Sequence, residues 1–457
     1  MFDEKLFAER GERVALKDNS SRMTYGELLD YCRNFTDVFE LNGRELILIL
    51  CENTVSTAAF FLGCIHNKIV PLLISGNIDS DMLKRYIEIY KPNYIYKSGD
   101  NTLTKHNSEL NTLNPELSLL LPTSGTTGSP KLVRHSYRNL AASAANVAKA
   151  FDLNEKEFAM LQLPIYFTQG LSVLCSHIHA GAAVYLTDDA LSSREFWDAM
   201  KTAGITSFTG VTYSYEVLDK LRFYTMKLPS LTSVSQGGGR LTNVLWDRLA
   251  AYANETGRSF YATYGASETT ARMSMLRPEY VQTKRCSIGK PLDGYTMHLE
   301  DDNNNIITEP NQPGELVFKG ESVTLGYAEC LEDLALGDER GGIYHTSDIA
   351  YRDEDGFYYI TGRLARFIKL FGLRINLDET ERLIKMQFGS NFACAGNDEQ
   401  LCVFTTDKDR SGKEVAMFLK EKLKINVSAF KLIFIDEIPK SEYGKISYGK
   451  LNEMIGE

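Results

Sequence analysis

No two cysteines in this chain are spaced as C-x-x-C. The eight thiols fall singly at 32, 51, 64, 175, 286, 330, 394 and 402, which excludes a zinc ribbon and a disulfide-stapled fold and leaves reduced, mostly buried side chains. Long apolar runs are missing too. The longest, such as Leu46–Cys51, are far shorter than the roughly 20 residues of a membrane helix, and Met1-Phe-Asp-Glu-Lys5 has no signal-peptide pattern. A cytoplasmic protein with no membrane span is the expectation. Nor is there a lysine/arginine block: 50 basic residues against 60 acidic ones leave a formal charge of −10, which argues against nucleic acid as a partner. No internal repeat or low-complexity tract is visible. His177 and His179 sit in an apolar segment without a carboxylate or third imidazole at ligand spacing, so packing is the expectation there and not metal binding.

What is present is a long alternation of elements. At 457 residues the chain exceeds one ordinary core, and 43% hydrophobic with 24% charged residues is a globular composition. Thr24 and Glu27 form a capping box that opens a helix reaching about Phe39. Strands are expected at 46–51, 69–74, 94–96 and 117–121, with helices at 53–65 and 79–90 between them, and 98–116 as a polar surface loop. The alternation resumes from a helix near 137–151 to a strand at 260–264, which implies a second doubly wound α/β unit. Beyond about 285, short strands broken by Gly, Pro and Asn suggest a small barrel-like β unit, and 365–457 returns to mixed α and β.

The most chemically pointed stretch is Leu119-Leu-Leu-Pro-Thr-Ser-Gly-Thr-Thr-Gly-Ser-Pro-Lys131. Gly125 and Gly128 let backbone N–H groups turn toward a polyanion, Thr123, Ser124, Thr126, Thr127 and Ser129 add hydroxyl donors, and Lys131 adds charge. This is a phosphate cradle running from a strand toward a helix. Its end is not Gly-Lys-Ser/Thr, so a Walker-type loop is not indicated. In Tyr264-Gly-Ala-Ser-Glu268 a strand end delivers Ser267 toward a phosphate and Glu268 as an oxygen ligand for Mg²⁺. Gln236-Gly-Gly-Gly-Arg240 offers bare backbone on which a flat ring can lie. In Tyr344-His-Thr-Ser-Asp348 and Gly362-Arg363, Asp348 suits a ribose diol and Arg363 the same sugar or a phosphate. Tyr443-Gly-Lys445 places a lysine after a glycine in a polar loop.

In this order and at these distances, the segments resemble the adenylate-forming superfamily, the AMP-dependent synthetases and ligases that include acyl-CoA synthetases, adenylation domains of peptide synthetases and luciferases. Gly314-Glu-Leu-Val-Phe-Lys-Gly-Glu-Ser-Val-Thr-Leu-Gly-Tyr327 belongs to the same resemblance, which runs from Thr24 to Leu451. It implies an α/β fold: a large N-terminal domain of two doubly wound α/β subdomains plus a small β-barrel-like subdomain (1–362), a hinge at 363–366, and a small mobile α+β C-terminal domain (367–457). It also implies an ATP- and Mg²⁺-dependent acid–thiol ligase that makes an acyl-adenylate and passes the acyl group to coenzyme A or to the phosphopantetheine of an acyl or peptidyl carrier protein.

By similarity, Thr123 to Gly128 and Lys131 hold the β- and γ-phosphates, and Glu268 holds Mg²⁺. Asp348 and Arg363 take the ribose, while Gly237, Gly238, Tyr264, Gly265 and Ser267 line the nucleotide and acyl site. Lys445 bridges carboxylate and α-phosphate. Phe167 stands at the gating aromatic position, and Thr168 replaces the Asp that pairs a substrate ammonium in amino-acid-activating relatives. An acyl or aryl acid with a neutral tail is therefore expected, with Tyr166, Val211, Tyr213 and Met273 as further pocket walls; a carrier-loading enzyme for a hydroxy or amino acid and a degenerate nucleotide-binding regulator are the rival readings. Three departures stand out: Ala365 where the hinge usually carries Asp or Lys, Leu132 after the cradle lysine, and Ser347 where Gly is usual.

Overall fold

The structure, a computed structural model, describes residues 3–109, 111–122, 131–370, 373–397, 399–423, 425–440 and 446–455, and the side chains of all of these but 365, 367, 369, 373 and 374. The chain forms two compact units. One holds most of residues 1–297 together with 318–344; the other holds 298–317 and 345–457.

Among the described residues the first unit carries two sheets. In the nine-stranded sheet the order is Lys290–Pro291, Ala271–Leu276, Ser259–Ala266, Ser233–Gly237, Ser207–Val211, Phe158–Leu161, Ala183–Leu186, Val14–Lys17 and Arg22–Thr24. From Ser259–Ala266 to Val14–Lys17 each neighbour is parallel, as helices between successive strands require. In the seven-stranded sheet the order is Gly326–Ala328, Leu132–Ser136, Leu117–Pro122, Val70–Ser75, Leu46–Cys51, Tyr94–Lys97 and Thr102–Lys105.

The helix Val55–His66 explains how the two sheets stack. Its residues from Val55 to Ile65, apart from Ser56, are buried all round, and a helix apolar on every side belongs inside a core. Phe60 and Phe61 share one cluster with Ile47 and Ile49 of one sheet and Leu161, Val184 and Leu186 of the other. Thr54 starts this helix by accepting from the Thr57 N–H. The helix Tyr137–Ala150 starts on a capping box of Ser136 with Asn139.

In the second unit the sheet order is Ile306–Ile307, Thr296–Glu300, Gly314–Lys319, Ile343–Arg352 and Tyr358–Arg363, in the part of the chain where short β elements are expected. The tail adds the hairpin Phe367–Leu370 with Leu373–Asn376, the helix Leu377–Phe388, and a sheet of Phe392–Gly396, Leu401–Thr405 and Phe430–Phe434.

Three strands depart from the sequence reading. Leu132–Ser136 pairs antiparallel with Leu117–Pro122, so the expected phosphate loop runs between two strands and the helix begins only after the second. Ala271–Leu276 returns antiparallel beside Ser259–Ala266. Thr102–Lys105 lies inside the expected loop and adds an edge to Tyr94–Lys97; its Thr-Leu-Thr-Lys sequence is mostly exposed, which is how a polar segment can still pair. All eight cysteines are free and all but Cys330 are buried. Among the described residues no helix is long and apolar enough to cross a membrane.

Candidate active site

The last residue but one of the strand Ser259–Ala266 is Gly265, whose close approach to the next strand is its reason for being glycine. A Cβ at 265 would lie 1.6 Å from the carbonyl oxygen of Ala271. The chain then makes one 3-10 turn, Ser267–Thr269, and reverses through Thr270 and Ala271, both at positive φ (+55° and +117°). The Thr270 hydroxyl secures this reversal by donating to Ser322 O at 2.8 Å, with His135 Nδ1 3.1 Å away. Backbone strain over-determined in this way is characteristic of functional turns.

Glu268 rides on that turn, half-buried. Its carbonyl oxygen accepts from Thr324 N and Thr324 Oγ1, each at 3.0 Å, so the backbone beneath the carboxylate is pinned. Oε1 accepts from the Tyr327 hydroxyl at 2.8 Å, and no hydrogen bond is made to Oε2 among the described residues. The Tyr327 ring has two cations against it: Lys131 Nζ is 3.9 Å and the Arg340 guanidinium 4.5 Å from its centroid. Burial, reinforced by the Glu268 charge, pushes the Tyr327 phenol up to about 12, so it remains a neutral donor at any working pH. Lys131 also pairs with Glu329 at 2.9 Å.

A fixed carboxylate with one free oxygen is a hard ligand of the kind Mg²⁺ takes one or two of, with phosphates completing its shell. The donor set therefore fits that ion.

The helix Thr168–Ala180 meets this turn from the side. Thr168 Oγ1 and Ser267 Oγ are 2.7 Å apart. Gln169 lies against the end of the strand Ser233–Gly237: a Cβ on Gly237 would come 2.8 Å from Gln169 Nε2, and Gly238 follows at φ +73°, a conformation that suits glycine. Tyr264 is half-buried one residue before Gly265. Phe167 precedes the helix with its ring 5.0 Å from that of Tyr166. Of the other expected walls, Met273 is buried and Tyr213 is 48% exposed. His177 is buried with Nδ1 2.8 Å from Val173 O, a packed position on the helix. Among the described residues no cluster of three or more His, Cys, Asp or Glu could hold a metal.

In the second unit Asp348 and Arg363 are cross-strand partners, and Arg363 Nε donates to Asp348 Oδ1 at 3.0 Å. Asp348 is the buried member of the pair, while Arg363 is largely exposed. The residue before it, Ser347, has φ +57°, which accounts physically for glycine being usual there. Ser347→Gly is expected to stabilise the fold by about 1 kcal/mol by removing left-handed strain, read as a raised urea midpoint.

At the expected hinge, Asp378 accepts from Arg363 N at 3.0 Å and from the Arg366 guanidinium. Arg366 also donates to Cys394 O at 3.1 Å and stacks on Tyr448 at 3.4 Å. The side chain of Ala365 lies outside what is described. So do Thr123, Ser124, Gly125, Thr126, Thr127, Gly128 and Lys445.

Sequence reasoning missed Tyr327, Thr324, Arg340 and Asp378 as site residues. Tyr327 closes the quoted Gly314–Tyr327 motif, so its presence was readable, but its contact with Glu268, 59 residues away, was not.

Doubly wound sheets that bring a glycine turn, a pinned glutamate and a hydroxyl cluster to their strand ends are those of an adenylate-forming α/β enzyme. The family model described as AMP-binding enzyme matches residues 93–328, and the chain belongs to that family. It is similar to the 2-succinylbenzoate–CoA ligase of Geobacillus sp. (strain WCH70), with 27% identity over 97% of this chain and 95% of the relative. The oxalate–CoA ligase of Arabidopsis thaliana is 31% identical over 72% of this chain and 65% of its own length. Among solved structures, O-succinylbenzoate coenzyme A synthetase from Bacillus subtilis, in complex with ATP and magnesium ion, superposes with a TM-score of 0.81 over 98% of this chain and 99% of that one at 21% identity. That likeness shows the fold.

Proposed function

We propose that this protein is a cytoplasmic acid–thiol ligase. It activates an acyl or aryl carboxylic acid with ATP to an acyl-adenylate, releasing pyrophosphate, and transfers the acyl group to coenzyme A, as the names of its relatives suggest; a carrier-protein phosphopantetheine is the alternative acceptor. The observation that carries this reading is the Glu268 carboxylate, pinned by Thr324 and Tyr327 with Oε2 free, beside the Thr168–Ser267 hydroxyl pair.

The first step brings a carboxylate to a triphosphate, so placement and charge neutralisation govern it. Residues 123–128 and Lys131 hold the β- and γ-phosphates, and Lys131 exchanges Glu329 for phosphate when ATP arrives. Glu268 holds Mg²⁺. That ion, when bound, neutralises charge on the phosphate oxygens. Asp348 and Arg363 take the ribose, and Gly237, Gly238, Tyr264 and Gly265 border adenine and the acyl group, with Phe167 as gate, Thr168 beside the acid and Ser267 on a phosphate. Lys445 bridges the carboxylate and the α-phosphate, and leaves for the second step because residues 367–457 turn about a hinge at 363–366, where Ala365 stands in place of the usual Asp or Lys and other groups support the motion.

The test is pyrophosphate–ATP exchange over a panel of acids, then AMP formation with coenzyme A. Acid-dependent exchange and thiol-dependent release are expected. Exchange stimulated by α-amino acids alone would overturn the proposal, and nucleotide binding with no exchange would favour the regulatory reading.

Tyr327→Phe keeps the ring beside Lys131 and Arg340 but removes the donor to Glu268. It is expected to lower exchange about 10- to 100-fold, the usual cost of losing a group that orients a metal ligand, and to raise the Mg²⁺ concentration for half-maximal rate. An unchanged Mg²⁺ requirement refutes this role.

A further inference from the structure

Arg340 is tethered to the Glu268 turn from outside. Its Nη1 donates to the Thr324 hydroxyl and lies 3.4 Å from the Glu268 carbonyl oxygen, so the contacts that pin the turn also pin the guanidinium. The guanidinium lies over two tyrosine rings, 4.5 Å from the Tyr327 centroid and 5.3 Å from that of Tyr344. The backbone behind it is fixed as well: Asp338 Oδ1 accepts from the N–H groups of Arg340 and Gly341 at 2.9 and 3.0 Å. An arginine stacked and tethered in this way has little rotamer freedom left to lose when it takes an anion.

The acids around it are engaged elsewhere. Glu339 pairs with Arg134, Glu329 takes Lys131, and Asp338 Oδ1 holds the two backbone N–H groups. Glu268 carries the point furthest. Its carbonyl oxygen meets Arg340, yet its carboxylate takes a neutral donor, the Tyr327 hydroxyl. Among the described residues no acid forms an ion pair with Arg340, and its Nε and Nη2 make no hydrogen bond; Nη1 alone is used. Opposite charges at one partly buried turn gain by pairing. Held unpaired, as they are here, they match a ligand that carries both signs, a chain of phosphates with its metal ion.

We infer that Arg340 binds the leaving pyrophosphate with the donors that the protein leaves unused. The inference rests on the adenylate-forming reading of the site. When the acid attacks the α-phosphorus, the bond from that phosphorus to the bridging oxygen breaks, and the electron pair stays on the oxygen that departs with pyrophosphate. The negative charge that builds there meets a guanidinium already in place, whose planar fork matches two phosphate oxygens. Lys131 lies over the same Tyr327 ring, so one aromatic side chain carries two cations of different kinds. Lys131 is a point charge that first gives up Glu329. Arg340 has no acid to give up, and it supplies the geometric half of the grip.

The test varies pyrophosphate in the exchange reaction of the full chain at saturating acid and ATP. Arg340→Met should raise the KM for pyrophosphate about 10- to 100-fold, the scale of a lost charge-assisted pair of hydrogen bonds. Arg340→Lys, which keeps the charge and loses the fork, should fall between that variant and the wild type. Calorimetric binding of pyrophosphate without magnesium should weaken by the same factor in Arg340→Met. Two readouts should not move: the magnesium concentration for half-maximal exchange, because Thr324 still holds Glu268 O, and the rate of thioester formation from preformed acyl-adenylate, which follows pyrophosphate release. An unchanged KM for pyrophosphate in Arg340→Met overturns the inference and leaves the ligase reading standing. So does a higher magnesium requirement with pyrophosphate affinity intact, which would confine Arg340 to supporting the turn. If Arg340→Met loses thioester formation too, Arg340→Lys decides by the same KM. No acid-dependent exchange by the wild type overturns both.

Discussion

Glu268→Gln is expected to lower acid-dependent pyrophosphate–ATP exchange by about 10²- to 10³-fold, the scale on which a single preorganised electrostatic group acts. The substitution is nearly isosteric. Tyr327 can still donate to the amide oxygen, and the backbone remains held by Thr324 through Glu268 O, so the turn survives. What disappears is the negative charge, without which a carbonyl-type oxygen is a poor ligand for a doubly charged ion. Raising magnesium should recover part of the rate. The side chain makes no ion pair among the described residues, so the thermal midpoint should stay close to that of the wild type. Wild-type exchange in this variant at limiting magnesium would remove Glu268 from the mechanism.

Lys445→Ala should be as severe for the first step and silent for the second. Its proposed work is to sit between two anions, the incoming carboxylate and the α-phosphate, at the moment they approach. Without it adenylation should fall by several orders of magnitude while ATP binding, which we assign to residues 123–131, Asp348 and Arg363, stays nearly unchanged. Supplying preformed acyl-adenylate with coenzyme A separates the two steps: thioester formation should proceed at the wild-type rate. Equal loss in both steps would mean that Lys445 acts on the fold or on binding and has no part in the approach of the anions.

The central strands of both sheets were readable because each is buried on both faces and written in apolar residues, as Leu46–Cys51 is. Leu132–Ser136 was not, because Arg134 and His135 interrupt its pattern. The structure shows why they are tolerated there: Arg134 is fully buried and donates to the carbonyls of Tyr327 and Leu336 and to Glu339. Ala271–Leu276 was obscured in the same way by Arg272. A charge inside a strand looks like a loop until its surroundings are known, and for Arg134 the partners come from segments far along the chain. The site showed the same division. Glu268, Asp348 and Arg363 stand in local motifs, whereas Tyr327 and Asp378 matter only through contacts that folding creates.

The crossing at Gly265 also sets rules for anyone who would retarget this enzyme. With the Ala271 carbonyl occupying the place where a side chain would go, position 265 offers no room for variation, and a library that includes it spends its members on misfolded chains. Phe167 lies outside that crossing, at the start of the helix Thr168–Ala180. A mutagenesis scheme can therefore vary the proposed gate at Phe167 and keep the turn that carries Glu268 constant.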